Sequence, residues 1–225
     1  DEVQPDLVIT YSIKPNIYMG SACKAKGIPY VTNVQGLGTA FEKPVLSSAV
    51  SVMYRSALRK AGTVFFENEE NAQFLLHKNI ISAQQMKVLP GAGINLDEYP
   101  YVPMKDDGVC SFLFVGRIMK EKGVDEFFAA AKTVKAELGE KVAFDVVGFY
   151  EDAYKETVDQ LVADGVIKFH GFQTDVHPFY EAADCVVMPS YHEGMSNVLL
   201  EAAASGRPLI TSDIPGCREA VEDGN

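Results

Sequence analysis

Two short stretches hold side chains whose type and spacing suit a phosphorylated ligand. The first reads Phe114-Val115-Gly116-Arg117-Ile118-Met119-Lys120-Glu121-Lys122-Gly123. An apolar, strand-like run ends at Val115, which delivers Arg117 just past the strand, and Lys122 stands ahead of the next helical pattern. Arginine offers a planar fork of donors and lysine a point charge. Together they can neutralise a diphosphate. A metal would do the same work, but the chain has no Asp-x-Asp pair to hold one. Lys120 reads as a solvated surface residue.

The second stretch reads Pro189-Ser190-Tyr191-His192-Glu193-Gly194-Met195-Ser196-Asn197-Val198-Leu199-Leu200-Glu201. A strand ends at Met188, a loop carries Glu193 and Gly194, and a helix is expected from Asn197 with Ser196 as its cap. Unpaired N–H groups and a partial positive charge at such a helix start favour phosphate. Gly194 would let the backbone approach a ligand closely. Glu193 and Glu201 are eight residues apart. On a helix that spacing spans up to ~12 Å, so a long ligand could meet one carboxylate at each end. Taken singly, Glu193 reads more readily as an ordinary loop carboxylate and Glu201 as a solvated helix position.

These loops need elements to hold them, and the chain supplies an alternation of short apolar runs and amphipathic segments. Strands are expected at Asp6–Thr10, Tyr30–Asn33, Thr63–Phe66 and Met86–Leu89. Between them lie helices over Pro15–Lys26, Val45–Ala61 and, capped by Asn68, Glu69–Lys78. A stretch with Pro100, Pro103 and Gly108 but no period reads as a linker over 97–108. A second alternation follows, with strands at Ser111–Val115, Val142–Val147, Val166–Phe169, Cys185–Met188 and Pro208–Thr211. Its helices are expected at Val124–Leu138, Asp152–Ala163, Val176–Ala182 and Asn197–Ser205. Leu7-Val8-Ile9, Phe112–Val115 and Cys185–Met188 are apolar throughout, which predicts strands buried on both faces of parallel sheets. The domain expectation is therefore two α/β lobes, 1–96 and 109–225, joined by 97–108. Ligands of open parallel sheets bind beyond the carboxyl ends of the strands. That directs attention to the loops 35–43, 91–97, 116–123, 148–151, 171–175, 189–196 and 212–217.

Charge and composition narrow the classes. Net charge is −11, and it is uneven: residues 1–100 carry 9 basic and 9 acidic side chains, residues 101–225 carry 11 and 22. An acidic second lobe argues against nucleic acid, which needs a basic surface. Cys23, Cys110, Cys185 and Cys217 are scattered, with no Cys-x-x-Cys pair, so neither a zinc site nor a disulfide framework is expected. His77, His170, His177 and His192 lack metal spacing. No Gly-x-Gly-x-x-Gly follows a strand, which disfavours a nicotinamide dehydrogenase. No run of about 18 apolar residues suggests a membrane helix. The chain opens almost directly into a strand pattern and ends on Glu222-Asp223-Gly224-Asn225, so both lobes read as cut short.

Strand-Gly116-Arg117-x(4)-Lys122-Gly123, followed by Glu193-x(7)-Glu201, resembles glycosyltransferase family 4, the retaining enzymes of the GT-B fold. Further likenesses are the turn at Gly148, the strand-His170-Gly171 step, Ala182-Ala183-Asp184 before a strand, Gly206-x-Pro208, and Leu89–Asn95. Phe149-Tyr150 depart from the family's turn. Lys14–Tyr18 and Asn33–Phe41 are similar to the branch that builds bacterial capsules and lipid-linked oligosaccharides.

The resemblance implies an α/β fold of two Rossmann-like parallel-sheet lobes, the first on the acceptor side and the second binding the donor nucleotide. It implies transfer from a nucleoside-diphosphate sugar, a UDP-sugar by expectation, to a glycan or lipid-linked acceptor. It also implies that no cofactor or metal is required. Arg117 and Lys122 would bind the diphosphate, with Gly116 at the turn that presents them. Glu193 would face the sugar hydroxyls and Glu201 the ribose. Gly194, Met195, Ser196 and Asn197 would offer backbone N–H groups. Gln35, Gly36 and Gly38 would belong to a first-lobe loop on the acceptor side, where many relatives have a histidine in place of Gln35. The implied location is cytoplasmic, with peripheral contact at the inner membrane face. The fragment itself is expected to be weakly active or inactive. Two other readings stay open: a GT-B sugar-nucleotide epimerase, and a module that binds a nucleotide-sugar without transferring it.

Overall fold

In a computed structural model, residues 3–37, 41 and 44–222 are described. The chain divides into two compact units. The first comprises residues up to Ala92 together with Glu193–Met195, and the second Gly93–His192 with the chain from Ser196 onward.

The first unit alternates β1 (Val8–Tyr11), α1 (Ile13–Lys26), β2 (Tyr30–Val34), α2 (Pro44–Leu58), β3 (Val64–Phe66), α3 (Glu69–His77) and β4 (Met86–Val88). The four strands are parallel in the order β1-β2-β3-β4. Helix boundaries follow local chemistry. Gly27 ends α1 in the left-handed conformation, with its N–H on the Cys23 carbonyl. The Asn68 side chain caps α3 by accepting from Asn71 N–H at 2.9 Å.

Right-handed crossovers along an unreversed strand order put the helices on one face of the sheet. That face holds Thr10, Thr32 and Val64, in register across three strands and buried with Ile17, Tyr54, Leu58 and Leu75. The opposite face is partly open: Ile9 is 55% and Tyr11 53% exposed. The expectation that Leu7-Val8-Ile9 is covered on both faces is therefore corrected. Strand β1 lies at the sheet edge, and among the described residues no helix of this unit covers its second face.

The second unit contains β5 (Cys110–Val115), α4 (Val124–Leu138), β6 (Val142–Val147), α5 (Lys155–Ala163), β7 (Lys168–Phe169), α6 (His177–Ala182), β8 (Cys185–Met188), α7 (Asn197–Ala204) and β9 (Leu209–Thr211). Its parallel sheet has the order β7-β6-β5-β8-β9. The chain builds outward from β5 in one direction and then returns to its other side with β8. Right-handed crossovers then place helices on both faces. Two hydrophobic clusters result, one around Phe114, Phe127, Phe144, Val146 and Leu161, the other around Leu113, Val147, Tyr180, Val186 and Ala202. Consecutive residues of β5 thus serve opposite cores, which is why Phe112–Val115 reads as apolar throughout. At the amino ends, the Asp184 carboxylate accepts from Ser111 N–H and Ser111 Oγ, both at 2.8 Å, and ties β8 to β5. Residues 97–108 form neither helix nor strand. They pack on the second unit, with Val102 N–H on the Ser205 carbonyl.

Candidate functional site

The strand order of the second unit reverses between β5 and β8. In open parallel sheets such a reversal opens a crevice beyond the carboxyl ends of the two strands. The loops that leave those ends are 116–123 and 189–196, the same two stretches that carry the candidate chemistry.

The first loop is built on glycines. Gly116 leaves β5 with φ 154° and donates to the Val147 carbonyl. Its own carbonyl oxygen would lie 1.8 Å from a Cβ on Gly148, so the ends of β5 and β6 approach more closely than side chains permit. Arg117 is exposed, whereas Ile118 next to it is buried and bonds to the Phe149 carbonyl. A 3₁₀ turn over Lys120–Lys122 ends at Gly123, whose left-handed φ of 68° starts α4. The second loop is fastened to the first: Tyr191 N–H donates to the Glu121 carbonyl at 2.9 Å, and the Tyr191 hydroxyl donates to Glu126. That phenol is the main reason Glu126 is held below the usual carboxylate range.

Helix α7 starts as expected. Ser196 Oγ accepts from Leu199 N–H at 3.3 Å, and Ser196 N–H donates to the Gly216 carbonyl. No acidic residue occupies the first turn, so nothing there offsets the partial positive charge of the helix start. Asn197 is exposed at that start, and Glu201 follows one turn along. The helix does not reach back to Glu193, so the ~12 Å spacing derived for a continuous helix does not apply. Glu201 Oε2 accepts from the Tyr180 hydroxyl at 2.8 Å. Burial, and then the Glu201 charge, push the Tyr180 and Tyr99 phenols upward in pKa, so both stay protonated donors.

The second unit therefore gathers Gly116, Arg117, Lys122, Ser196, Asn197 and Glu201 on elements around one strand reversal. Glu193, Gly194 and Met195 pack with the first unit, as do Gln35 and Gly36. There Asn68 Nδ2 donates to the Gly194 carbonyl at 2.8 Å, and a Cβ on Gly194 would fall 1.5 Å from the Gln35 carbonyl oxygen. The close approach that requires glycine at 194 is thus to Gln35. Glu67, buried at the end of β3, is raised above the usual carboxylate range by burial, partly offset by hydrogen bonds from Met195 N–H, Asn33 and Gln35. Gly38 lies outside the described residues. Among the described residues, no cluster of His, Cys, Asp or Glu could hold a metal, and no helix is long and apolar enough to cross a membrane.

Sequence reasoning missed Tyr180, Tyr99 and Glu67. Tyr180 stands 21 residues before its partner Glu201 and on a different helix. Only its position just ahead of the Ala182-Ala183-Asp184 step could have drawn attention to it.

Two α/β units with parallel sheets, one with its glycine-lined loops at a strand reversal, define a protein of the GT-B class. The chain belongs to the glycosyl transferases group 1 family, whose profile matches residues 110–225. It is 26% identical to N,N'-diacetylbacillosaminyl-diphospho-undecaprenol alpha-1,3-N-acetylgalactosaminyltransferase of Campylobacter jejuni, over 97% of this chain and 61% of that protein. It is 27% identical to UDP-Gal:alpha-D-GlcNAc-diphosphoundecaprenol alpha-1,3-galactosyltransferase of Escherichia coli, over 94% of this chain and 58% of that one. The crystal structure of Anabaena HepE in complex with UDP-glucose superposes with a TM-score of 0.78 at 21% identity, over 97% of this chain and 63% of that one. The chain thus spans about three-fifths of the length of these relatives.

Proposed function

We propose that this chain carries the donor site of a retaining glycosyltransferase. The enzyme would move a sugar from a UDP-sugar to a lipid-linked glycan acceptor in the synthesis of a bacterial surface polysaccharide. The observation that carries the reading is the strand reversal in the second unit. Two cationic side chains, a helix start without acidic residues and a partly exposed glutamate leave the elements around it. The names of the Campylobacter and Escherichia coli relatives, both transferases acting on diphospho-undecaprenol-linked sugars, support the acceptor class. The complexes of HepE with UDP and with UDP-glucose support the donor class.

In this reading the leaving group is a nucleoside diphosphate, and catalysis consists mainly of stabilising its departing negative charge. Arg117, Lys122 and the start of α7, with the N–H group of Asn197, supply positive charge and donors without a metal, whereas the Ser196 N–H expected to join them is taken by the Gly216 carbonyl. Gly116 lets the turn bring Arg117 to the strand end, and Glu201 accepts from the ribose hydroxyls. Glu193 contacts the transferred sugar but is given no nucleophilic role, while Gly194 offers a backbone donor from the same loop and the Met195 N–H is directed to Glu67. The first unit, with Gln35 and Gly36, takes the acceptor. A lipid-linked acceptor calls for peripheral contact with the cytoplasmic face of the membrane.

The test is a calorimetric titration of the chain with UDP, repeated on Lys122→Ala and Glu201→Ala. Each variant should weaken binding by about 1–3 kcal/mol, the size of a lost charged hydrogen bond. No heat with UDP, GDP or ADP would refute the donor-site reading. With the full-length enzyme, release of UDP that depends on a lipid-linked acceptor separates transfer from epimerisation and from binding alone.

A further inference from the structure

Glu201 does not stand alone on its helix. The Tyr180 hydroxyl, on a wholly buried side chain, donates to Glu201 Oε2 at 2.8 Å. A second phenol, Tyr99, comes from the irregular stretch beyond β4 and lies near enough to the Glu201 carboxylate that burial, and then that charge, raise its pKa. The two tyrosine rings meet edge to face, their centroids 6.2 Å apart. Tyr99 is held from its other side by the His177 imidazole, stacked on it at 4.4 Å. The His177 ring is itself fixed by Nδ1 against Asp175 Oδ1 at 2.6 Å. All five residues belong to the second unit.

A carboxylate offers about four lone-pair sites. The Tyr180 phenol occupies one of them and, with Tyr99 packed against its ring, fixes the rotamer of a long side chain that would otherwise sample several. The remaining sites are presented on the partly exposed side of Glu201. Two adjacent acceptor sites at a fixed angle match a vicinal pair of hydroxyls. They match a single hydroxyl less well, because one aligned acceptor is then left unpaired.

We propose that Tyr180 and Tyr99 are positioning residues that lock Glu201 for a cis-diol and so set the selectivity of the donor site for ribose over 2′-deoxyribose. The proposal rests on the reading of Glu201 as the ribose-binding group and goes beyond it in assigning the selectivity to two tyrosines that need not touch the ligand.

Calorimetric titration of the chain with UDP, 2′-deoxy-UDP and UMP tests it. The wild type should prefer UDP over 2′-deoxy-UDP, and Tyr180→Phe should narrow that preference by about 3–10-fold, the scale of one hydrogen bond. Tyr99→Phe should narrow it in the same direction. Neither should change the preference for UDP over UMP, which reports the second phosphate and which general loosening of the site would also disturb. Tyr180→Phe keeps the ring that fills the core. Should it nonetheless fail to fold by circular dichroism, Tyr99→Phe, on a less buried ring, carries the test. A wild type that discriminates, with tyrosine variants that discriminate equally, overturns the positioning role and leaves Glu201 as the ribose group. A wild type that binds UDP and 2′-deoxy-UDP alike overturns both.

Discussion

Gly123 and Pro189 touch so closely that a Cβ on the glycine would lie 1.8 Å from the proline carbonyl oxygen. The contact joins the loop after β5 to the loop after β8, the two stretches on either side of the strand reversal. Gly123 also holds a left-handed φ of 68°, which ends the turn carrying Lys122 and starts α4. One glycine therefore fixes the helix start, the position of Lys122 and the seat of the second loop.

Replacing Gly123 with alanine combines two penalties, and Gly165 allows them to be separated. Gly165 has the same φ of 68° but no atom within 4 Å of its would-be Cβ. Gly165→Ala should cost about 1–2 kcal/mol, the backbone strain alone. Gly123→Ala should cost more in urea unfolding, because Pro189 must also move. It alone of the two should weaken UDP binding. Equal losses of stability and intact binding in both variants would show that the contact with Pro189 is relaxed at little cost.

A second prediction concerns the opposite end of the same two strands. Asp184 accepts twice from Ser111, and its removal leaves a backbone N–H and a hydroxyl in a partly buried place without that partner. Asp184→Ala should lower the unfolding free energy by about 1–3 kcal/mol. Asp184→Asn keeps one acceptor oxygen and should lose less. Because the carboxylate lies at the amino ends of the strands, away from the loops, UDP affinity in the folded variant should stay near the wild-type value.

Much of this architecture was legible because local signals were unambiguous. Gly123 and Gly139 bracket α4, so Val124–Leu138 could be read to the residue. Asn68 and Ser196 are caps in sequence and in structure. Burial was less legible. Leu7-Val8-Ile9 and Phe112-Leu113-Phe114 look alike as strings, yet only the second lies between two helical layers, since strand order decides coverage and is absent from the local pattern. Among the candidate site residues, Arg117, Lys122 and Glu201 were visible through their spacing to glycines and strand ends. The Tyr180–Glu201 bond links two helices, and a tyrosine in a core looks like packing until its hydroxyl is located. Gly194 shows the converse: a Cβ there would meet the Gln35 carbonyl oxygen, a neighbour distant in sequence that no local pattern names.

Ser196 offers a test of how far the start of α7 depends on its cap. Its hydroxyl accepts from Leu199 N–H, and Ser196→Ala removes that acceptor. The expected loss is about 0.5–2 kcal/mol of stability, the usual range for a helix cap. A frayed first turn would also misdirect the Asn197 N–H proposed to meet phosphate. UDP should therefore lose affinity while uridine, which has no phosphate, is little affected. Equal losses for both ligands would place the effect of the cap outside the phosphate region.

Glu67 yields a prediction with a definite sign. Burial raises its pKa above the ordinary 4.5, and hydrogen bonds from Met195 N–H, Asn33 and Gln35 offset only part of that shift. A carboxyl group whose folded pKa is raised binds its proton more tightly in the folded than in the unfolded chain. Its contribution to stability is therefore complete below the ordinary value and is lost as pH rises through the folded one. Near neutral pH the wild type must keep a charged group where burial disfavours charge. Glu67→Gln keeps the shape and a carbonyl acceptor for Met195 N–H without that charge. Urea midpoints should therefore show Glu67→Gln to be more stable than the wild type at about pH 7, with the gap closing toward about pH 4. A variant that is less stable at about pH 7 would mean that the hydrogen bonds to the charged form outweigh its desolvation.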